Sequence, residues 1–320
     1  MDDLLTEPFR RLLADICTPK ALREAEAQGG VRAAWRDIRE SGFLDALVPE
    51  EAGGAGLRLT DMFPLFAAAG EYLLPGPFAE TVVARSILAA GGQETPAEAA
   101  IILGAPSPVI PFAQHATHAL VAQDDTLVLM PIESVCADPF GAGGGLLASC
   151  GSPVSKVARA AVDLSVCAAA VTAARMAGMM IRMLDMSIAY VAQREQFGRS
   201  LSKFQAIQHQ LAVMAEQVAS AFVAARIGCS GDTFDAVRVA MAKARVSEAS
   251  HTVTAIAHAV HGAIGVTEEF DLQLYTRRLK EGGLAFGSES YWSGKLGRAR
   301  IDSGLTCGAD FVRRHLQEVE

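Results

Sequence analysis

Two long stretches of the chain contain no proline and carry apolar residues at the spacing of an α-helix. They run from Ala158 to Gln193 and from Leu201 to Ile227. Further helical patterns cover Asp232 to His261, Glu268 to Lys280, and about Ser288 to Leu316. The first stretch is rich in alanine and glycine, which lets neighbouring helices approach closely. The spacing therefore predicts a tightly packed helical bundle over residues 156–320.

The first 95 residues also predict helices, separated by a loop. Helical spacing covers Pro8 to Ala27, Val31 to Ser41, Met62 to Tyr72 and Phe78 to Ala90. Between the second and third of these, residues 48–56 (VPEEAGGAG) are too rich in glycine and proline for a regular element. We predict a helical domain over residues 1–95.

Residues 96–155 have a different composition, with short apolar runs set between proline, glycine and aspartate. Two runs, Ala119 to Ala122 and Thr126 to Leu129, flank Gln123-Asp124-Asp125, which is a plausible hairpin turn. The glycine-rich run Gly141 to Gly145 has no phosphate-loop lysine and no helix signature after it, so a flexible turn is favoured. The predicted fold is mainly α with a small, truncated β domain.

Charge and composition exclude several classes of function. The net charge of −8 argues against a nucleic-acid binder and a polybasic membrane anchor. The most lipid-like run, Leu164 to Ala174, has 11 residues, whereas a membrane span needs about 20. The first ten residues do not read as a signal or transit peptide. The six dispersed cysteines include no C-x-x-C pair and are expected to be buried thiols, which indicates a cytoplasmic protein.

Few residues offer chemistry from pattern alone. His251, His258 and His261 share one predicted helix, but no carboxylate or thiolate ligands accompany them on its face. Packing or helix-capping histidines are favoured over a metal site, and no metal is expected.

Two other features leave alternatives open. Residues 194–201 (REQFGRSL) lie between two long helices and could form an anion site at a helix start or an ordinary helical hairpin. Glu248 has small neighbours one turn away, including Ala244 and Thr252. A desolvated carboxylate there could act as a general base, but a surface ion pair with Arg245 fits the pattern equally well.

Two segments resemble a known family. Residues 190–209 read YVAQREQFGRSLSKFQAIQH and residues 261–270 read HGAIGVTEEF. Both resemble signatures of the flavin-dependent acyl-CoA dehydrogenases, and the loop at residues 48–57 with the following Leu-Thr-Asp is similar to the family's amino-terminal domain. The resemblance implies α,β-dehydrogenation of an acyl-CoA thioester, with FAD as cofactor and an electron-transfer flavoprotein as acceptor.

The resemblance also implies site residues. Arg194, Gln196 and Phe197 would contact the diphosphate and adenosine part of FAD, at a neighbouring subunit's cofactor. The apolar residues of the same signature would line the adenine side, and a glycine of the second segment would allow close backbone approach; these are Leu201, Phe204, Ile207 and Gly262.

The position of the catalytic base follows from a comparison of two family patterns. Most members carry the base in an aromatic-Glu-Gly-Thr-Ser loop, where this chain has Phe286-Gly287-Ser288-Glu289-Ser290. A minority carry it one helix earlier, fourteen residues before a glycine that matches Gly262, and that count reaches Glu248. The resemblance therefore implies Glu248 as the base, with Glu289 as the alternative.

Departures from the family pattern indicate a partner chain. Ala259 and Ala263 replace the usual glutamine and glycine of the second segment. The family's Trp-Ile-Thr/Ser strand has no counterpart between Gly91 and Val154. This short form resembles small subunits of heteromeric, steroid-degrading acyl-CoA dehydrogenases, which implies an α2β2 assembly with a longer homologous subunit.

Two functions are consistent with these observations. One is a catalytic subunit that acts on a bulky acyl-CoA, such as a steroid-derived one. The other is a non-catalytic subunit that stabilises the flavin site of its partner.

Overall fold

The computed structural model describes residues 2–28, 32–159 and 162–317. The amino-terminal part is helical: α1 Asp2–Ile16, α2 Pro19–Gln28, α3 Arg32–Glu40, α4 Leu59–Glu71 and α5 Phe78–Ala90. The loop between α3 and α4 contains two short 3-10 turns, Phe43–Asp45 and Glu50–Ala52. Helix α5 has the predicted bounds.

The single helix predicted from Pro8 to Ala27 is wrong, because the chain breaks after Ile16. Thr18 Oγ1 accepts a hydrogen bond from the backbone N–H of Ala21 (3.3 Å), and Pro19 occupies the first position of α2. A threonine cap followed by proline is a strong helix start, since proline there loses no helical hydrogen bond.

The middle part is a five-stranded sheet: β1 Ile101–Gly104, β2 His118–Gln123, β3 Thr126–Ala137, β4 Gly145–Cys150 and β5 Ser155–Ala158. The order is β1-β2-β3-β4, with β5 also paired to β3. Strands β2 and β3 form the predicted hairpin, in which Gln123 faces Thr126 and Leu120 faces Leu129. The glycine-rich run lies in the loop that leads into β4.

The carboxyl-terminal part is a bundle of long helices: α6 Leu164–Gln193, α7 Gln205–Gly228, α8 Ala236–His261, α9 Leu272–Leu284, α10 Glu289–Asp302 and α11 Gly308–Gln317. A two-stranded hairpin, β6 Glu195–Gln196 and β7 Arg199–Ser200, separates α6 from α7. Helix α6 starts later than predicted because Asp163 caps it, accepting hydrogen bonds from Ser165 N (2.8 Å) and Val166 N (3.4 Å).

The last predicted helix, Ser288 to Leu316, is also wrong, since it is two helices. Gly304 takes a left-handed conformation (φ 64°) directly after α10, and its N–H bonds to the carbonyl of Ile301. Glycine adopts this conformation without steric cost, so it ends a helix readily.

One hydrophobic core joins the three parts. Helices α4 and α6 approach so closely that a Cβ on Gly70 would lie 1.9 Å from the carbonyl oxygen of Arg175. A Cβ on Gly178 would lie 1.8 Å from the carbonyl oxygen of Ala67. The close packing expected from the small residues of α6 is confirmed.

Two helices of the described chain, α6 and α7, are long and apolar enough to cross a membrane by length and composition. The prediction that the apolar run starting at Leu164 is too short to span a membrane is therefore wrong, because the helix that contains it has 30 residues. The most apolar window of α6 is 89% buried inside the protein, as in a core helix, whereas that of α7 is 28% buried. Helix α7 thus lies largely at the surface, where Val223 is 57% exposed.

The six cysteines divide into three buried, two exposed and one half-buried thiol, the last being Cys150. Cys17, Cys167 and Cys229 are buried, and burial raises the pKa of each thiol to about 12. Cys136 and Cys307 are exposed. The expectation of buried thiols fails for these two, because Cys136 lies near the outer end of β3 and Cys307 precedes α11.

Candidate functional site

A cavity of about 540 Å³ opens where the middle part meets the carboxyl-terminal bundle. One face of α8, the end of α9, the start of α10 and the loop before β4 form its walls. The lining residues are Phe140, Ser247, Ser250, His251, Thr254, Ala255, Leu279, Lys280, Gly283, Leu284, Ser288, Glu289 and Ser290. Apolar surface with a few convergent polar groups is typical of a small-molecule site.

Glu289 lies in the wall of this cavity, at the first position of α10. Ser288 caps that helix and accepts a hydrogen bond from the backbone N–H of Tyr291 (3.4 Å). A carboxylate at a helix start is favoured by the helix dipole.

Glu248 lies outside the cavity lining, although Ser247 and His251 on the neighbouring face of α8 belong to it. Its side chain is 62% exposed, and its Oε2 accepts a hydrogen bond from Arg245 Nη1 (2.6 Å). Arg245 also donates to Ser220 Oγ on α7 (2.9 Å). In this chain Glu248 therefore forms the surface ion pair, the second of the two sequence interpretations.

The first signature segment forms an exposed hairpin. Phe197 (φ 52°) and Gly198 (φ 77°) occupy its tip, and both take the left-handed conformation of a tight two-residue hairpin turn. The Phe197 side chain is 90% exposed, and Arg194 and Gln196 are exposed beside it. A phenylalanine in the left-handed conformation is unfavourable by itself.

The residues after this hairpin pack towards the bundle. Leu201, Phe204 and Ile207 are half-buried, and the Arg199 guanidinium lies 4.1 Å from the centre of the Phe204 ring. Ser200 donates a hydrogen bond to the carbonyl of Val191 (2.8 Å), which ties the hairpin to the end of α6.

Gly262 ends α8 with φ 65° and ψ −143°, a conformation that is essentially restricted to glycine. His261, directly before it, stacks on Tyr190 of α6 (ring centres 4.5 Å apart) and contacts Phe270 (4.9 Å). Because Tyr190 lies four residues before Arg194, the structure brings the two signature segments together at one end of the bundle.

Two of the three histidines predicted to pack on α8 do so, whereas His251 is exposed and lines the cavity. His258 Nε2 lies 2.8 Å from Thr276 Oγ1, and His261 Nδ1 lies 2.8 Å from the carbonyl oxygen of Ala257. Burial lowers the pKa of both imidazoles, which favours their neutral forms. Among the described residues there is no group of three or more histidine, cysteine, aspartate or glutamate side chains that could hold a metal.

Sequence reasoning missed a group of buried charges behind the cavity. Arg175 on α6 donates to Glu80 on α5 (2.8 Å), with side-chain exposures of 6% and 2%. Glu281 on α9 lies beside Asp138, and burial raises the pKa of Glu281 to about 8. The fully buried Lys243 on α8 also belongs to this group, and burial lowers its pKa to about 7. Buried charges of this kind cluster at functional sites.

A sequence signal existed for one of these residues. Lys243 stands between Val239, Ala242 and Val246, on the apolar face of a predicted helix. A lone cation on such a face indicates a buried charge, although the pattern does not identify its partners.

Comparison with known proteins gives two family matches and relatives that align over most of the chain. The model of the acyl-CoA dehydrogenase N-terminal domain matches residues 2–98, and that of the C-terminal domain matches residues 161–298. The acyl-CoA dehydrogenase IpdE2 of Mycolicibacterium smegmatis is 32% identical over 286 residues, which cover 86% of this chain and 91% of the relative.

Solved structures show the same fold at low sequence identity. A variant of the Tcur3481-Tcur3483 steroid ACAD superposes with a TM-score of 0.81 and 24% identity, over 94% of this chain and 98% of that one. The ChsE4-ChsE5 complex from Mycobacterium tuberculosis gives 0.80 and 21%, over 94% and 97%. The FAD complex of PigA gives 0.76 and 14%, over 95% and 98%. These likenesses establish the fold, mainly helical with a small sheet.

Proposed function

The chain belongs to the acyl-CoA dehydrogenase family, and on that premise we propose that it is a catalytic subunit that desaturates an acyl-CoA thioester with FAD. The observation that carries this proposal is the cavity between α8 and α10, which Glu289 lines and which Ser247, the residue before Glu248, also lines. The acyl group would enter this cavity. Its volume of about 540 Å³ lies within the range of roughly 300–1,000 Å³ usual for ligand pockets.

The residues of the hairpin fit the outer part of FAD. Phe197 offers an exposed ring, Arg194 an exposed cation for the diphosphate, and Gly262 an open backbone approach. Leu201, Phe204 and Ile207 would line the adenine side. Bound FAD would accept the hydride from the β carbon of the thioester.

We assign the role of base to Glu248, which would take the α proton. The support is its spacing from Gly262 together with Gly287 in the place of the more usual glutamate. The contact with Arg245 fixes the carboxylate on the exposed side of α8. A partner chain that covers this side would exclude water from the carboxylate, as removal of a weakly acidic α proton requires.

A partner chain is the second part of the proposal. The ChsE4-ChsE5 complex, whose fold this chain shares, is named as an assembly of two chains. Here Phe197 at the hairpin tip and Val223 on α7 are 90% and 57% exposed, and a second chain would cover them. We propose an α2β2 assembly with a longer homologous subunit, an electron-transfer flavoprotein as acceptor and a bulky, steroid-derived acyl group as substrate.

The assignment of the base is tested by paired variants of the assembled enzyme. A panel of acyl-CoA thioesters is tested, and reduction of the flavin is measured as the loss of its visible absorbance. Glu248→Gln is expected to slow reduction by about 10²–10⁴-fold, the usual contribution of a general base, with flavin content and assembly unchanged. Glu289→Gln is the matched control and is expected to keep most of the rate.

The reverse result would transfer the role to Glu289, which lines the cavity in this chain. Two unaffected variants would favour the second candidate function, a non-catalytic subunit that stabilises a partner's flavin site. The observation that favours this candidate is the exposure and pairing of Glu248. Loss of turnover on substitution of a glutamate in the partner chain would then support the non-catalytic role of this chain.

A further inference from the structure

Lys243 is joined to the turn between α9 and α10 by several hydrogen bonds. Its Nζ donates to the carbonyl oxygens of Gly282 (2.7 Å), Gly287 (3.1 Å) and Gly283 (3.4 Å). It also lies 3.2 Å from Ser247 Oγ. The side chain is fully buried, so bulk solvent does not reach these contacts.

The turn that Lys243 holds forms part of the cavity wall. Gly283, Ser288 and Glu289 line the cavity, and so does Ser247 on the side of Lys243. The carbonyls of Gly282 and Gly283 belong to the last turn of α9, whose negative dipole end favours a cation. One buried amine therefore connects α8, the end of α9 and the segment that carries Glu289.

The turn itself has an unfavourable backbone, which requires such support. Phe286 takes a left-handed conformation (φ 55°), costly for a residue with a bulky side chain. Its carbonyl accepts a hydrogen bond from Trp292 Nε1 (3.0 Å), and its N–H donates to Ser107 Oγ (2.8 Å). Trp292 therefore reports directly on the conformation of this turn.

We propose that Lys243 is a positioning residue that fixes the turn between α9 and α10 and thereby sets the place of Ser288 and Glu289 in the cavity wall. The inference rests on the proposed function only in identifying this cavity as the acyl site. The contacts of Lys243 are independent of cofactor and substrate.

The protonation state of Lys243 changes what it can donate. Burial, with a smaller contribution from the charge of Arg175, lowers the pKa of Lys243 to about 7. Below that pH the ammonium has three N–H donors for its four oxygen neighbours. Above that pH the neutral amine has two N–H donors, and its lone pair can accept a hydrogen bond from the hydroxyl of Ser247. The number of hydrogen bonds that Lys243 donates to the turn therefore changes near neutral pH.

Other charges surround this interior from the packed elements. Arg175 lies on α6 and pairs with Glu80 of α5. Glu281 and Arg278 lie on α9, and Asp138 comes from the loop before β4. Glu281 also titrates near neutral pH, so a pH response of the turn is assigned to Lys243 only when a Lys243 variant removes it.

The test is fluorine NMR of the full chain labelled with 5-fluorotryptophan. The protein has two tryptophans, Trp292 in contact with the turn and Trp35 in the amino-terminal part, and a Trp35→Phe variant assigns their signals. We expect the Trp292 signal to titrate with a midpoint near pH 7 while the Trp35 signal stays constant. In Lys243→Met the Trp292 signal is expected to move and to lose this titration, whereas the exposed control Lys156→Met keeps the wild-type response.

A Trp292 signal in Lys243→Met that matches the wild type, or that still titrates near pH 7, would overturn the proposal. Should Lys243→Met fail to fold, as judged by circular dichroism, Ser247→Ala supplies the second test. It keeps the carbonyl contacts but removes the hydroxyl oxygen that accepts a hydrogen bond from the ammonium, so the midpoint is expected to move to lower pH. An unchanged midpoint would contradict the inference. The NMR measurement on either variant requires neither flavin nor substrate. A negative result would therefore contradict the role of Lys243 without bearing on the proposed function.

Discussion

The buried charges behind the cavity and the hairpin of the first signature segment differ in how their polar side chains are placed. Those behind the cavity are buried and paired, whereas those of the hairpin are exposed. Arg175 and Glu80 are 6% and 2% exposed and bond to each other, while Lys243 bonds to carbonyls of its own chain. In the hairpin Phe197 is 90% exposed, and Arg194 and Gln196 are exposed beside it. The first region pairs its charges within the chain, whereas the second leaves its side chains exposed on the surface.

The largest expected effect separates the two regions by stability. Arg175→Leu removes the partner of a buried carboxylate, and breaking a buried pair in this way costs about 3–5 kcal/mol. Arg199→Leu in the hairpin is the matched control, expected to change the free energy of unfolding by less than about 0.5 kcal/mol. Urea denaturation of the chain measures both. Similar losses for the two variants would contradict the distinction.

A second prediction concerns pH and the buried carboxyl of Glu281. Its pKa in the folded protein is about 8, well above that of an exposed glutamate, so the folded state retains a proton that the unfolded state releases. Stability from this group is complete below about pH 4.5 and declines as the pH rises through 8. Between pH 5 and pH 7, Glu281→Gln should therefore gain stability relative to the wild type, by roughly 1–3 kcal/mol.

Denaturation curves of the two proteins at pH 5 and pH 7 test this. This pH range lies below the range in which the titration of Lys243 affects stability. Burial lowers the pKa of Lys243 to about 7, so its titration makes the free energy of unfolding rise with pH above about pH 7. A difference between the two proteins that stays constant with pH would show that Glu281 is not protonated by burial.

The smallest expected effect on stability is in the hairpin. Phe197→Ala removes an exposed ring, so the free energy of unfolding of the chain should change by less than about 0.5 kcal/mol. The same substitution should lower the flavin content of the assembly with its partner chain. Measured flavin absorbance per assembly checks this, and Val223→Ala on the exposed face of α7 serves as a control for general loss of apolar surface. A flavin content equal to that of the wild type would contradict the assigned role of Phe197.

Sequence alone identified much of this fold because its strongest signals are local. The apolar periodicity of α5 and the turn between β2 and β3 each depend on neighbouring residues, and both were predicted correctly. The breaks at Thr18 and Gly304 were missed, although a cap residue and a glycine mark them, because helical spacing resumes after each.

The candidate site was harder to predict, since its parts are distant along the chain. Lys243 bonds to carbonyls about 40 residues further on, and Glu281 meets Asp138 from another part of the fold. No periodic pattern encodes such contacts. The resemblance selected Glu248 and the hairpin residues by position, whereas the exposure of Glu248 and its ion pair with Arg245 become known only from the folded chain.

The central claim is that this chain completes a flavin site only together with a second chain. The most direct measurement is the visible absorption spectrum of the chain purified alone, and again after co-expression with a longer homologous subunit. The account predicts a colourless chain alone and a flavin band in the co-purified assembly. A flavin band in the chain alone would contradict the shared site, and its absence from both preparations would contradict the proposed flavin chemistry.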